Sequence, residues 1–492
     1  MNLSEINQTI LDDLIDVENS HVEKCQELGI LPLYDYQQEG LDAIINARRG
    51  RFILADAPGL GKTLQTLAAI KSWDPEKTAK ILVIATKNSK PVWRNECRKW
   101  LKEEVTVLDS QEMSAIEITI ALMNPPTRIV VCNYEQLKDL VLLIQDTPWD
   151  IIVCDEVHKI RNPKAAMSKA TTKIVTAFPT SKLVLLTGTP LVNTPEDLFS
   201  LLHLIDPFRF DSCSRWINAW FYKWGTSYRH KNVDAFQTHV KPYMLRRESK
   251  DVLNLPPIKR VSMPIEMTAK QRKLYKEVND AWLMSIEGQE DVPITNLLAQ
   301  ITRLKQICLD PSLIVPDGEI TCEGAKTTAL INLLEELQGK VVVCSSFARH
   351  LRALKKRLEA EGYVVGIITA KENEQARDNT VKAFQDPENP MRIILISSKA
   401  GGESITLTQA ATFIHLDKPW TAAEEEQAFG RVWRIGAEGV AKKEGQVRRV
   451  WWYYLKVENS VEEYIEKVIG RKRDMFGQSV PVSLIRRLMA GG

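Results

Sequence analysis

The sequence predicts an α/β protein of two lobes, each a parallel sheet covered by helices on both faces. Three observations lead there. A chain of 492 residues outgrows one ordinary hydrophobic core, so two large units are expected. Short apolar runs alternate with longer amphipathic stretches, the pattern of buried strands joined by crossover helices. The alternation stops near the middle of the chain and then resumes, which gives each lobe its own sheet.

The first series of apolar runs lies at 52–54, 81–84, 129–131, 151–154 and 183–186, with amphipathic stretches such as 64–73 and 92–101 between them. From about 195 to 256 the texture becomes aromatic, with Phe199, Phe208, Phe210, Trp216, Trp220, Phe221, Tyr222 and Trp224. It reads as a helical elaboration at the edge of lobe one. Leu255-Pro256-Pro257 breaks the chain before the next unit, because proline removes a backbone donor and disfavours helix. Helices are expected over Ala269–Ser285 and 296–308, and strands again at 340–344, 364–368, 391–396 and 413–416. The expected divisions are 1–30, a charged helical leader; 31–200, lobe one; 201–255, its helical elaboration; 256–324, a linker and helical insertion; 325–480, lobe two; and 481–492, a tail.

Sixty-five Lys and Arg against 63 Asp and Glu leave a net charge of +2, so a polyanionic partner must be held by a local basic surface rather than a bulk field. The cysteines, at 25, 97, 132, 154, 213, 308, 322 and 344, lie far apart. No Cys-x-x-Cys pair or Cys/His cluster is spaced for a tetrahedral metal, so they are expected to be small buried hydrophobes in a reducing compartment. The N-terminus lacks the charged and apolar blocks of an export signal, and no uncharged apolar stretch reaches membrane-spanning length. A soluble intracellular protein is expected.

Chemistry concentrates at the ends of the predicted strands. Asp56-Ala57-Pro58-Gly59-Leu60-Gly61-Lys62-Thr63 follows the first strand and opens a helix. Small residues let backbone amides curl around phosphate oxygens, and a helix N-terminus adds partial positive charge. Lys62 is placed for the β and γ phosphates of ATP, and Thr63 for Mg²⁺. The strict loop pattern has Gly where this chain has Asp56. Asp155 and Glu156 follow the strand 151–154, where open sheets bind ligands. Asp155 suits Mg²⁺ through water, and Glu156 suits orienting and deprotonating the water that attacks the γ phosphate. His158 is expected to couple this site to its surroundings. Thr187-Gly188-Thr189-Pro190 ends another strand; its hydroxyls either bond to the carboxylate loop and report nucleotide state, or form a plain turn.

Lobe two has no second phosphate loop. It carries instead Gln427-Ala428-Phe429-Gly430-Arg431-Val432-Trp433-Arg434, with two arginines three residues apart on one helical face. A guanidinium keeps its charge and bonds bidentately to a phosphoryl group, so Arg431 and Arg434 are expected to complete, from the second lobe, a site begun by the first. A basic helix surface is the other account. Candidate contacts to a nucleic-acid backbone are Lys87 and Asn88, Asn133 and Tyr134, Ser398, Lys399, Gly401 and Gly402, and Trp420, all near strand ends. Arg246-Arg247 and the basic cluster 467–473 either add positive charge or form solvated helix faces. Trp451-Trp452-Tyr453-Tyr454 suits a packed sheet edge better than base stacking, and Trp216, Trp220 and Trp224 suit helix packing.

Taken together, these blocks resemble the Swi/Snf-related ATPases of helicase superfamily two, the DExH-box type, over about 31–476. The resemblance implies two RecA-like lobes of P-loop NTPase type with helical Swi/Snf-type insertions. It makes Gln37, in Tyr36-Gln37-Gln38-Glu39-Gly40, an adenine-recognising glutamine, and places Gln427 at the nucleotide. The family tolerates Asp at position 56, while Ala57 and Pro58 replace its usual acidic residue and methionine. The stretches 185–193, 245–250, 304–311 and 400–407 look like further family blocks. Departures at Ser404-Ile405-Thr406 and Ala437 bear on the lobe-two grip rather than on phosphate chemistry, and the loop after Ile368 has Thr369-Ala370 in place of the family's usual Asp-Gly. Gly50-Arg51 is similar to the annealing-helicase branch, which brings forked or branched DNA into consideration.

The implied function is an ATP-dependent translocase on double-stranded DNA, a DNA-stimulated ATPase that remodels DNA or DNA-protein complexes. The rival within the enzyme class is a true unwinding or annealing helicase on forks, branches or RNA-DNA structures. The rival from another class is a non-hydrolysing DNA-binding scaffold. The compact architecture resembles prokaryotic or viral members, so the expected location is the cytoplasm or nucleoid of a prokaryote, or a host cytoplasm. A monomer is expected, with the leader 1–30 available to a protein partner and no membrane association.

Overall fold

The computed structural model describes residues 31–87, 89–110, 112–160, 165–188, 195–224, 227–253, 256–286, 291–315, 320–398, 405–419, 422–433, 449–463 and 479–481. The leader 1–30, the basic cluster 467–473 and the tail 482–492 lie outside them. The chain divides between Asn254 and Leu255 into two compact units.

Unit one is built on strands β1 (Arg51–Leu54), β2 (Ile81–Ala85), β3 (Thr106–Val107), β4 (Ile129–Asn133), β5 (Ile151–Cys154) and β6 (Lys182–Leu186), with β7 (Phe221–Trp224), β8 (Ser227–His230) and β9 (Met244–Leu245) following. Seven of these form one parallel sheet in the order β3-β4-β2-β5-β6-β1-β9. Strand side chains alternate between faces, and here both faces are dry. Ile53, Leu82, Ile84, Ile152 and Leu185 enter one core, while their neighbours Phe52, Ile81, Val83, Val153 and Val184 enter the other. That explains why the strands read as continuous apolar runs. Arg51 begins β1 as a buried anchor, its guanidinium donating to the carbonyls of Leu204 at 2.9 Å and Pro179 at 3.3 Å.

The segment 201–255, expected to be helical, is mixed. It holds the helices Cys213–Trp220 and Val233–Val240, but β7 and β8 form an antiparallel hairpin, and β9 pairs with β1 as an edge of the main sheet. Aromatic packing decides the hairpin: Phe221 meets His230 at 4.5 Å and Phe236 at 5.3 Å between ring centroids. Trp216 and Trp220 lie on a helix as expected, Trp224 lies in β7, and Phe208 is exposed.

Unit two contains β10 (Ile258–Ile265), β11 (Asp291–Pro293), β12 (Lys340–Ser345), β13 (Val365–Ile368), β14 (Ile393–Ser397), β15 (Ala410–His415), β16 (Val450–Val457) and β17 (Ser479–Pro481). Six make a parallel sheet in the order β10-β16-β15-β12-β14-β13, and β11 pairs with β17. The segment 256–324 is therefore more than linker and helices, because β10 forms an edge of the sheet. Its polar residues Lys259, Arg260 and Ser262 hide it from an apolar-run reading and suit an exposed edge. Trp451 to Tyr454 belong to β16, which lies between β10 and β15 rather than at an edge. Trp452 is buried and stacks on Phe429 at 4.1 Å, so packing occupies it.

Among the described residues the cysteines form no disulfide, and all but Cys213 are buried. No described helix is long and apolar enough to cross a membrane.

Polar groups also hold unit two together. The Lys326 ammonium donates to both Glu462 oxygens at 2.6 and 2.8 Å and to the Leu416 carbonyl at 2.5 Å, with both side chains fully buried. This ties the helix Ala325–Glu336 to the ends of β15 and β16. Removing one partner strands a buried charge, so Glu462→Ala is expected to cost roughly 3–5 kcal/mol in urea unfolding. The paired change Lys326→Met with Glu462→Leu is expected to recover most of that loss.

Candidate functional site

The phosphate loop leaves β1 and enters the helix Lys62–Trp73, whose N-cap Gly61 adopts the left-handed φ of 73°. The first-turn N–H groups of a helix lack intrahelical partners and face outward along its axis, which makes them anion donors. The Lys62 ammonium donates to the carbonyls of Asp56 at 2.8 Å and Ala57 at 3.3 Å, so it lies along the loop. Gly188, following β6, lies against Pro58 with no room for a Cβ to spare. Thr187 is buried, and its N–H donates to the Leu54 carbonyl at 3.1 Å.

Asp56, expected among the nucleotide contacts, has another task. Its side chain is fully buried, and Arg247 grips it with two parallel bonds, Nε to Oδ1 at 3.0 Å and Nη2 to Oδ2 at 2.6 Å. Arg247 also donates to Gln65 Oε1 at 2.9 Å and to the Tyr36 carbonyl. Position 40 is glycine because a Cβ there would run into Gln65 and Arg247. Arg247, weighed as a basic surface residue, is thus a buried brace, while Arg246 is exposed and pairs with Glu248 at 2.7 Å. Gln37 is buried as well. Its amide oxygen accepts from Tyr34 N–H at 3.1 Å and its amide nitrogen donates to the Leu60 carbonyl at 3.2 Å, so its visible contacts hold the loop from behind.

The carboxylate pair leaves β5. One strand, β6, separates β5 from β1, which places the acidic turn about 10 Å from the phosphate loop, two strand spacings. At Asp155, Trp93 Nε1 donates to Oδ2 at 3.0 Å, Glu156 N–H to Oδ1 at 3.0 Å, and the Tyr134 hydroxyl to the Asp155 carbonyl at 2.7 Å. Burial alone would raise the Glu156 carboxyl. The His158 ring, its Nδ1 3.0 Å from a Glu156 oxygen, and the positive charge of Lys62 outweigh it and hold the group below the usual carboxylate range. Lys62 and Glu156 therefore share one electrostatic environment.

In unit two, Gln427 is half-buried on the helix Ala422–Phe429, and Arg431 follows it in a buried turn. The Phe429–Trp452 stack fixes one end of this turn, and the bond of Trp433 Nε1 to the Pro256 carbonyl at 2.8 Å fixes the other. The Arg431 carbonyl accepts from Leu407 N–H at 2.8 Å. Arg434 lies outside the described residues.

With these features in place, the comparisons are decisive for kinship. The SNF2-related domain matches residues 36–313, and the helicase conserved C-terminal domain matches 325–436. The chain belongs to the SNF2-related family. Mouse SWI/SNF-related matrix-associated actin-dependent regulator of chromatin subfamily A member 1 is 28% identical over 456 residues, covering 88% of this chain and 42% of the relative. An uncharacterized ATP-dependent helicase of Mycoplasma pneumoniae is 28% identical over 462 residues, covering 92% of this chain and 42% of the relative. The chain thus spans less than half the length of these two relatives. A Sulfolobus solfataricus SWI2/SNF2 ATPase core in complex with dsDNA is 25% identical, covering 90% of this chain and 92% of that one, with a TM-score of 0.41.

Within this SNF2-related chain, the residues expected on a nucleic-acid backbone fare unevenly. Lys87 is exposed in the turn after β2, and Ser398 is half-buried after β14. Asn133 and Tyr134 are buried, Asn133 bonding to Glu135 at 2.6 Å and Tyr134 serving the Asp155 turn, so neither forms an open contact surface. A strand end in sequence shows the position but not the direction of the side chain. Lys90 is likewise buried, donating to the Leu108 carbonyl at 2.7 Å. Asn88, Thr189, Lys399, Gly401, Gly402 and Trp420 lie outside the described residues. Sequence reading missed Trp93 and the second role of Arg247. The spacing from Trp93 to the acidic pair carries no local signal.

Arg247→Ala leaves Asp56 buried and unpaired, so it is expected to lower the stability of unit one by roughly 3–5 kcal/mol. Arg247→Lys is expected to rescue little, because an ammonium cannot reproduce the two-pronged grip. Urea unfolding of both variants measures this.

Proposed function

We propose that the chain is a DNA-stimulated ATPase that moves along double-stranded DNA and remodels DNA or DNA-protein complexes. The observation that carries the proposal is the pairing, at the carboxyl ends of one parallel sheet, of a phosphate-loop lysine with an acidic turn whose Glu156 carboxyl feels the Lys62 charge. Membership in the SNF2-related family supports it, as do relatives named for chromatin regulation and for ATP-dependent helicase action.

The residues fit ATP and Mg²⁺. Loop amides and Lys62 receive the phosphates, and Gln37 and Gln427 are assigned to the nucleotide, Gln37 acting through its support of the loop. Thr63 and, through water, Asp155 would hold Mg²⁺, and the ion would supply positive charge to the phosphates. Glu156, kept ionised by His158 and Lys62, orients the attacking water and accepts its proton. Arg431 and Arg434 are assigned to stabilising charge on the transferring phosphoryl group, and His158, Thr187, Gly188 and Thr189 to linking nucleotide state with movement. Translocation requires that unit one and unit two change their mutual disposition with nucleotide state. Lys87 and Ser398 are the described candidates for backbone contact, with Asn88, Lys399, Gly401 and Gly402 close to them in sequence and Trp420 further along the chain.

Lys62→Ala and Glu156→Gln are each expected to reduce DNA-stimulated phosphate release at least about a hundredfold, near 3 kcal/mol in barrier. Normal turnover in either variant rejects its role. Arg431→Ala is expected to spare nucleotide binding more than turnover, and parallel losses reject that assignment. Stimulation compared across single-stranded, duplex, forked and four-way DNA, and RNA, tests the substrate. Triplex displacement without fork unwinding separates translocation from strand separation.

The pH profile provides another test. A carboxyl whose folded pKa is depressed stays ionised above that value and is protonated only as pH falls through it. The acid limb of turnover is expected below the ordinary glutamate range, and His158→Ala is expected to move it upward. An unmoved limb removes His158 from this role.

A further inference from the structure

Unit two contains a three-residue cluster that the ATPase reading does not use. Asp310, Cys322 and His350 each offer a ligand atom, a carboxylate oxygen, a sulfur and a ring nitrogen, and all three atoms lie within 4.8 Å of one another in a buried pocket. They come from separate segments: the cap of the short helix Pro311–Ile314, the stretch before the helix Ala325–Glu336, and the helix Ala348–Ala360. Sequence spacing could not reveal them. We propose that this cluster is a structural zinc site that staples these three segments of unit two.

The geometry supports a ligand rather than mere packing. His350 is fully buried, its Nε2 lies 3.5 Å from Thr327 Oγ1, and its Nδ1 has no hydrogen-bond partner among the described residues. A buried ring nitrogen without a partner is destabilising unless something binds it. A zinc ion on Nδ1, with Nε2 held by Thr327, is the arrangement in which an outer partner fixes the ring. Gly324 brings the Cys322 segment in: a Cβ there would strike the Leu309 carbonyl, so only glycine permits the close approach. The Gly324 N–H then donates to Asp310 Oδ2 at 3.3 Å.

The donor set selects the metal. Oxygen, sulfur and nitrogen from Asp, Cys and His suit Zn²⁺, with water as the fourth ligand, whereas the hard Mg²⁺ of a nucleotide site takes oxygen. Zinc bond lengths place tetrahedral ligand atoms roughly 3.3–3.7 Å apart, so side-chain adjustments of about 1 Å close the shell. Burial pushes the His350 ring down to about 4, leaving it neutral and able to ligate. On binding, the Cys322 S–H bond breaks, an S–Zn bond forms and the proton passes to solvent. Thiolate and carboxylate then balance the two positive charges, and the pocket holds no net charge.

The test uses the full chain, stripped with a chelator and titrated with Co²⁺. One equivalent is expected to bind with a thiolate-to-cobalt charge-transfer absorption and tetrahedral d–d bands, both abolished by added Zn²⁺. Mg²⁺ at the nucleotide site cannot mimic this signal. Cys322→Ser is expected to lose the charge-transfer band and His350→Ala to weaken binding at least about a hundredfold, while Cys213→Ser keeps the full spectrum. Asp310→Asn keeps a capping acceptor and is expected to bind more weakly while retaining its circular dichroism, so the test survives if another variant misfolds. Wild-type protein without a thiolate band, or a band that persists in Cys322→Ser, overturns the proposal.

Discussion

The candidate site rests on one ion pair. Asp56 lies fully buried beneath the phosphate loop, where a bare carboxylate would repel the anion that loop amides are suited to hold. The two bonds from Arg247 cancel that charge and fix the carboxylate plane at the same time. The same guanidinium reaches the Tyr36 carbonyl in the helix Asp35–Ile45 and Gln65 in the helix Lys62–Trp73, so it ties both helices and the loop to the segment after β9. A lysine would supply the charge without the plane.

Two aspartates at two strand ends are held by different donors. Asp56 is neutralised by a cation. Asp155 accepts from an indole N–H and a backbone N–H, while a phenol O–H donating to its carbonyl fixes the turn. Glu156 stands between these cases. Its burial favours the neutral acid, and the neighbouring His158, Lys62 and Lys159 outweigh it and favour the ionised form.

Unit two shows buried charge put to structural use. Lys305 and Asp417 lie 3.6 Å apart with almost no exposure, and Ser345 and Ser346 donate to the same carboxylate at 2.5 and 2.9 Å. Lys326 and Glu462 form a second such pair. Buried pairs of this kind add little net stability over well-packed apolar groups, but a misplaced partner is heavily penalised. They fasten strand ends of β12, β15 and β16 to neighbouring helices in one arrangement, where the apolar core alone would tolerate several.

Much of this was legible in the sequence, for local reasons. Strands buried on both faces must be continuous apolar runs, so 81–84 and 151–154 stand out, and a glycine turn between strand and helix marks the phosphate loop. Helical periodicity carried Ala269–Ser285 without error. What the sequence by itself determined is therefore the pair of parallel sheets and the residue types at their carboxyl ends. Tertiary structure alone decided which way those side chains face. It buried Tyr134 beneath the acidic turn, turned Arg247 from surface charge into a brace 191 residues from Asp56, and gathered Asp310, Cys322 and His350. Direction and long-range pairing depend on what packs against a residue, and no local pattern of neighbours records that.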